Sequence, residues 1–303
     1  MKPLDLQVNG YAGTDFNSDD LTLDSLHLAC TALEEDGVSS ILATIITDHI
    51  DAMSDRLARI ARFREQDDTI HRLIAGFHVE GPFLNDSPGF AGTHPTPPMK
   101  PASPDLARRL LDAAQGHLKL LTLAPERDPG FATTRFLTDH NILVAAGHCD
   151  PTLDQLRGAL DAGLAMFTHL GNGCPVTAHR HDNIIQRALS LDDLPWFSFI
   201  PDGIHVPFFA LKNYLRLAGI ERSIFVTDAI AAARLGPGTF TIGSHEIEVD
   251  SDGVAWAANR ENFAGSTVTM PQARKNALQH LGMTEQEFST ATAANPRSAI
   301  GLS

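Results

Sequence analysis

The feature that most restricts the fold is an alternation sustained along the chain. Eight apolar runs of strand length, rich in β-branched residues, are separated by longer segments of helical period. The runs occupy residues 4–9, 40–47, 73–80, 118–124, 142–147, 165–169, 196–201 and 223–227. Amphipathic helices are expected between them: the stripe Leu23, Leu26, Cys30 and Leu33 ends at Gly37, and the stripe Leu106, Leu110, Leu111 and Ala114 is opened by Ser103 and Pro104. There is no glycine-rich phosphate turn of the G-x-G-x-x-G or G-x-x-x-x-G-K kind, so the βα units favour a closed parallel barrel over an open doubly wound sheet. The expected fold is α/β, a single (β/α)8 (TIM) barrel over residues 1–303, with a β-hairpin insertion at 238–266 after the eighth strand. That insertion, which contains T-F-T-I-G-S-H-E-I-E-V-D-S-D-G-V-A-W, reads as an appendage.

Charge and cysteine usage narrow the partners. Asp and Glu number 37 against 23 Lys and Arg, a formal net charge of -14. Such a field repels nucleic acid and anionic lipid, so neither is expected to bind, and an anionic small molecule would need local cations. Cys30, Cys149 and Cys174 are odd in number and recur at no spacing, which argues against a disulfide framework or a Cys-based zinc module and fits a reducing cytoplasm. The amino terminus, M-K-P-L-D-L-Q-V-N-G, has no secretory apolar run, and no stretch approaches a membrane span, so a cytoplasmic location is expected.

Barrel enzymes place their chemistry where strands end, and the runs here stop at residues suited to it. Strand one ends in Gln7-Val8-Asn9, strand three in His78-Val79-Glu80, strand five at His148 and strand six at His169; strand seven runs into Asp202-Gly203-Ile204-His205, and strand eight ends at Asp228. Glu80, His148 and His169 supply one carboxylate and two imidazoles, a set that holds a catalytic divalent metal and leaves a position open. A barrel converges separated strands, so the lack of an H-E-x-x-H spacing is no objection. The bland reading is two hydrogen-bonded structural histidines and a loop-capping glutamate. Asp228 suits a general base; alternatively it is a helix N-cap. His205 is a candidate to polarise a carbonyl or bind a hydroxyl, or is merely an exposed loop histidine. His78 shares the face of Glu80 one layer deeper and reads as core, and Cys149 and Cys174 read as small buried fillers.

In order, D-L-Q-V-N-G, G-F-H-V-E-G-P-F-L-N, G-T-H, T-L-A-P-E, G-H-C-D, T-H-L-G-N-G, I-P-D-G-I-H-V, V-T-D-A, A-G-S-T and N-P-R-S-A-I-G resemble the N-acetylglucosamine-6-phosphate deacetylase family of the amidohydrolase superfamily. The resemblance runs from about residue 5 to the end, and H-x-E-G-P combined with D-G-x-H-V and V-T-D-A is specific. It implies a hydrolase of a linear amide C–N bond, with N-acetylglucosamine 6-phosphate giving glucosamine 6-phosphate and acetate. Glu80, His148 and His169 become the metal ligands, and Asp228 and His205 the catalytic pair. Many amidohydrolases hold a second metal with H-x-H on strand one. Gln7 and Asn9 stand there in this chain, which implies supporting roles for them and one divalent metal per subunit, zinc by expectation, with iron also suited. The resemblance further implies that His205 contacts the sugar, that Asn172 and Gly173 contact a sugar phosphate, and that Thr93 and His94 line the pocket. Arg180, in A-H-R-H-D, would reach the phosphate across a homodimer interface; otherwise that segment is a solvated basic loop.

The sequence also departs from the family pattern. T-H-L-F-N-A-M reads T-H-L-G-N-G-C at 168–174, removing an aromatic and a methionine from the pocket wall and leaving substrate size and sugar identity open. Residues 87–92 lack the usual lysines, and the β-sandwich that the family pairs with its barrel is not expected in this chain, a barrel-only form. Two alternatives follow: an amidohydrolase of another acylated amino sugar, cyclic amide or aminated ring, or an inactive barrel serving as a binding protein.

Overall fold

The parallel sheet follows the expected alternation strand by strand. The protein is described by a computed structural model covering residues 1–258, 260 and 262–302. Strands β1 (Leu4–Val8), β2 (Ser40–Ile46), β3 (Ile74–Glu80), β4 (Leu118–Leu123), β5 (Leu143–Ala146), β6 (Leu164–Phe167), β7 (Trp196–Phe199) and β8 (Ser223–Phe225) pair in chain order, all parallel. Every apolar run becomes a strand. Each run continues a residue or more past its strand except at β3, whose last residue is Glu80.

The first and last strands meet and close the barrel. Val8 forms a parallel bridge to Ala229, and the Asn9 amide donates to the Ala229 carbonyl at 2.7 Å. Beneath that seam the buried Asp5 carboxylate accepts from the Thr227 hydroxyl at 2.6 Å and from the Thr227 and Gln7 amides at 3.2 Å. Burial pushes this carboxyl up to about 7 despite those donors. The barrel interior carries a second polar layer. His78 Nε2 lies 2.8 Å from the Thr122 hydroxyl, which is 2.8 Å from that of Thr168. Burial lowers His78 to about 4, so this core imidazole is neutral at ordinary pH.

Helices cover the outside. They include α1 (Leu23–Glu35), α2 (Ile50–Gln66), α3 (Asp68–Leu73), α4 (Pro104–Ala113), α5 (Ala132–Asp139), α6 (Leu153–Asp161), α7 (Ile184–Leu189) and α8 (Phe208–Ala218). Capping boxes start α1 at Thr22 with Ser25 and α6 at Thr152 with Gln155, each satisfying backbone donors that a helix end leaves orphaned. After β8 the chain forms an antiparallel sheet of β9 (Gly238–Ile242), β10 (His245–Val249) and β11 (Ala255–Ala257), then closes with α9 (Met270–Asn276), α10 (Glu285–Ser289) and α11 (Asn295–Ala299). The insertion is thus the expected hairpin plus a third strand. Ile242, Ile247, Val249 and Ala255 of that sheet bury together with Ile230, Ala264 and Ile46 of β2, a small core that seats the sheet at the barrel mouth. Among the described residues no helix is long and apolar enough to cross a membrane.

Candidate active site

The strand ends converge. Glu80 at the end of β3, His148 just past β5 and His169 just past β6 are buried, and one donor atom from each lies within 4.8 Å of the others. His169 Nε2 is 2.9 Å from Glu80 Oε1 and His148 Nε2 is 3.5 Å from the same oxygen. Two donors on one zinc ion, with bonds of about 2.0–2.1 Å, stand roughly 3 Å apart, so these separations suit a shared cation. The chemistry of the set agrees: a carboxylate and two imidazoles can hold a metal. His148 Nδ1 donates to the Phe90 carbonyl at 2.8 Å, which fixes the tautomer and aims Nε2 at Glu80. The His169 amide donates to the Ser198 hydroxyl at 2.7 Å, tying that residue to β7.

The neutral amides of β1 brace both carboxylates. Gln7 Nε2 donates to Glu80 Oε2 at 3.1 Å, and Asn9 Nδ2 donates to Asp228 Oδ1 at 2.7 Å. Asp228, just past β8, borders the same cavity as the three-residue cluster. Burial would raise the Glu80 carboxyl, but hydrogen bonds from His148 and His169 outweigh it and hold the group well below the usual carboxylate range. Burial also disfavours a charged His169, and the bond to Glu80 reverses that and raises it. For Asp228, burial and then the Glu80 charge push the carboxyl up to about 6, against the opposing pull of His169 and Asn9. Backbone conformation singles out the same residues: His148, His169 and Asp228 sit at φ 49°, 32° and 50°. Side chains with a Cβ seldom occupy this left-handed region, and where they do the strain concentrates at functional sites.

A cavity of about 550 Å³ opens above these groups. Thr93, His94, Asn172, Gly173 and His205 line it, as expected, and the Asp202 carboxylate accepts from His205 Nδ1 at 2.5 Å. His94 Nε2 is 3.8 Å from Glu80 Oε2 and its ring meets His148 edge-on at 4.5 Å; burial, then His148, lowers it to about 3. Gly173 holds φ 61°, and a Cβ there would come within 2.8 Å of His148 Nδ1, so glycine lets the loop cover the His148 ring. Arg180 is exposed and lies outside the lining, and no Lys or Arg is among the described residues that line the cavity.

One reading of the sequence is corrected here. The insertion is not an appendage: Ile242, Trp256, Asn262 and Phe263 line the cavity. At Gly171, where the family pattern has an aromatic, a Cβ would meet Val206 Cγ2 at 2.8 Å and Tyr214 Cε2 at 3.2 Å. The A-G-S-T motif, directly after Phe263, was the available sign that this segment returns to the site. Asp202 was visible in D-G-I-H-V but had no assigned task.

No protein-family model matches the sequence. The N-acetylglucosamine-6-phosphate deacetylase of Mus musculus is 30% identical over 309 residues, covering 99% of this chain and 73% of the relative. The chain belongs to the N-acetylglucosamine-6-phosphate deacetylase family. Another relative of this deacetylase-family chain is the N-acetylgalactosamine-6-phosphate deacetylase of Escherichia coli O157:H7, 29% identical over 299 residues and matched over 99% of this chain and 77% of its own. Among solved structures, a mutant N-acetyl-D-glucosamine-6-phosphate deacetylase of Mycobacterium smegmatis in complex with N-acetyl-D-glucosamine-6-phosphate superposes with a TM-score of 0.89 at 29% identity, covering 99% of this deacetylase-family chain and 77% of the other.

Proposed function

We propose that the chain is a metal-dependent deacetylase that hydrolyses the acetamide of an N-acetylhexosamine 6-phosphate, N-acetylglucosamine 6-phosphate in the first instance, to acetate and the amino sugar phosphate. The carrying observation is the buried Glu80, His148 and His169 cluster on one cavity with a second carboxylate, Asp228, that is not part of it. Glu80, His148 and His169 would hold one divalent cation, zinc or alternatively iron. A cation there supplies Lewis acidity, polarising the amide carbonyl and making water nucleophilic at neutral pH.

The remaining chemistry belongs to the chain's own side chains. Asp228 takes the proton from the attacking water and delivers it to the departing nitrogen, so that the free amine leaves. Asn9 holds Asp228 Oδ1 and Gln7 holds Glu80 Oε2, which keeps the two carboxylates in separate tasks. His205, oriented by Asp202, contacts the sugar and the acetamide carbonyl; Thr93 and His94 line the pocket, and Asn172 and Gly173 receive the phosphate. No Lys or Arg is among the described residues that line this cavity, so in an acidic protein the phosphate needs a cationic side chain from elsewhere, and Arg180 supplies it from the neighbouring subunit of a homodimer.

Acetate release by metal-loaded protein tests the proposal, using N-acetylglucosamine 6-phosphate, its galacto epimer, the free sugars, other acylated amino sugars and cyclic amides. Turnover of a phosphorylated N-acetylhexosamine supports it. Turnover confined to another group reassigns the substrate, and no turnover of any of them sinks the enzyme reading. Arg180→Ala should raise KM for the phosphorylated sugar and leave the free sugar unaffected; equal effects on both would remove Arg180 from phosphate binding.

A further inference from the structure

The insertion brings two aromatic rings to a cavity that also carries the polar groups of Asn9, Glu80, His148, His169, His205 and Asp228. Trp256 of β11 and Phe263 pack against each other at 4.8 Å between centroids, and Phe263 meets the His205 ring edge-on at 5.1 Å. Both line the cavity that holds Asp228 and the Glu80 cluster. Trp256 Nε1 donates to Asp250 Oδ2 at 2.8 Å, so the only polar atom of the indole is already engaged. The indole therefore has only an apolar surface to offer a ligand.

The position of this wall is set by the catalytic strand itself. The Ser266 amide donates to the Asp228 carbonyl at 2.9 Å, and the Ile230 amide donates to the Ser266 carbonyl at 3.0 Å. Gly265 between them holds φ 63°, and a Cβ there would come within 2.4 Å of Ile230 Cγ2. Only glycine allows so close a docking, and Phe263, two residues earlier, is thereby placed with respect to Asp228.

We infer that Trp256 and Phe263 form a sugar-binding wall on which the C–H face of the hexosamine ring stacks, a specificity element supplied by the insertion rather than by the barrel. The inference rests on the deacetylase reading for its substrate. A pyranose presents hydroxyls around its rim and C–H groups on its faces. A cavity that offers both hydrogen-bonding groups and a paired aromatic surface suits that division. The wall binds ground state and transition state alike, so it acts on KM rather than kcat.

Trp256→Ala and Phe263→Ala in the metal-loaded full chain should each raise KM for N-acetylglucosamine 6-phosphate about tenfold with kcat within roughly twofold, and Trp256→Phe should recover most of the loss. A second readout does not depend on turnover. The chain has two tryptophans, and Trp196 lies on β7 outside the cavity lining, so Trp196→Phe leaves Trp256 as sole reporter. Its emission should shift saturably with glucosamine 6-phosphate. Unchanged KM in both alanine variants, or an emission blind to sugar while the protein turns the substrate over, overturns the wall and leaves the deacetylase reading intact. If no N-acetylated sugar is turned over, that reading fails, and Trp256 emission with free sugars and sugar phosphates decides: a saturable shift keeps the wall and none removes it. If an alanine variant does not fold, the single-tryptophan protein decides alone.

Discussion

Asp228 and Glu80 are two buried carboxylates on one cavity, and what separates their behaviour is the company each keeps. Glu80 is gripped by two imidazoles and stays ionised; Asp228 has one amide donor and the Glu80 charge nearby, and is pushed up to about 6. Asp228→Asn should therefore cut kcat by about two to four orders of magnitude, the usual worth of a general acid–base, while the metal content of the purified protein stays the same. Loss of metal instead would make Asp228 a ligand. The Asn9 donor lowers the Asp228 carboxyl, so Asn9→Ala raises it. A base must be ionised to work, so activity disappears as pH falls through its pKa, and the acid limb of kcat/KM in Asn9→Ala should lie at higher pH than in the parent. A limb that does not move would detach Asn9 from Asp228. At this scale the clustered carboxylate and imidazoles were legible, because hydrophobic runs halted at Glu80, His148 and His169. The left-handed backbone at His148, His169 and Asp228 was not, since nothing in a side chain's identity announces a φ of 32° to 50°.

Elements explain what the periodicity hid. The strands were readable because a parallel barrel buries both faces of each strand and makes it a continuous apolar run. The insertion's alternation shows only that one face buries; β9 and β10 expose the other, and no pattern reveals that Trp256 and Phe263 turn toward the cavity. The surroundings of Gly171 were hidden for a related reason. The side chains that fill its space, Val206 and Tyr214, come from the segment after β7 and from α8, and only the fold brings them there. Gly171→Phe alone should destabilise the protein by about 1–3 kcal/mol or more, through overpacking and through a φ of 102° that disfavours any Cβ, and Tyr214→Ala in the same chain should recover only the packing part. Thermal melts of the two single variants and the double give the coupling; strict additivity would mean the two positions do not share the space.

At the level of the whole molecule, closure of the barrel and its stability against pH are linked through Asp5. Its carboxyl rises from an ordinary 3.8 to about 7 in the folded protein. The folded state therefore holds a proton that the unfolded chain releases between those values, and this contribution to stability is lost as pH rises through that window. Asp5→Asn removes the titration, so its melting temperature relative to the parent should climb from about pH 4 to about pH 7. A constant difference would show that the seam does not titrate. The central claim is that one metal sits among three barrel strands with a separate carboxylate beside it. Anomalous diffraction at the zinc edge from crystals of the zinc-loaded protein tests it most directly. The expected map has one strong peak per subunit, bounded by Glu80, His148 and His169, with Asp228 outside the ligand set. A second peak held by Asp228 or the Gln7 and Asn9 strand, or no peak at the cluster, would contradict it.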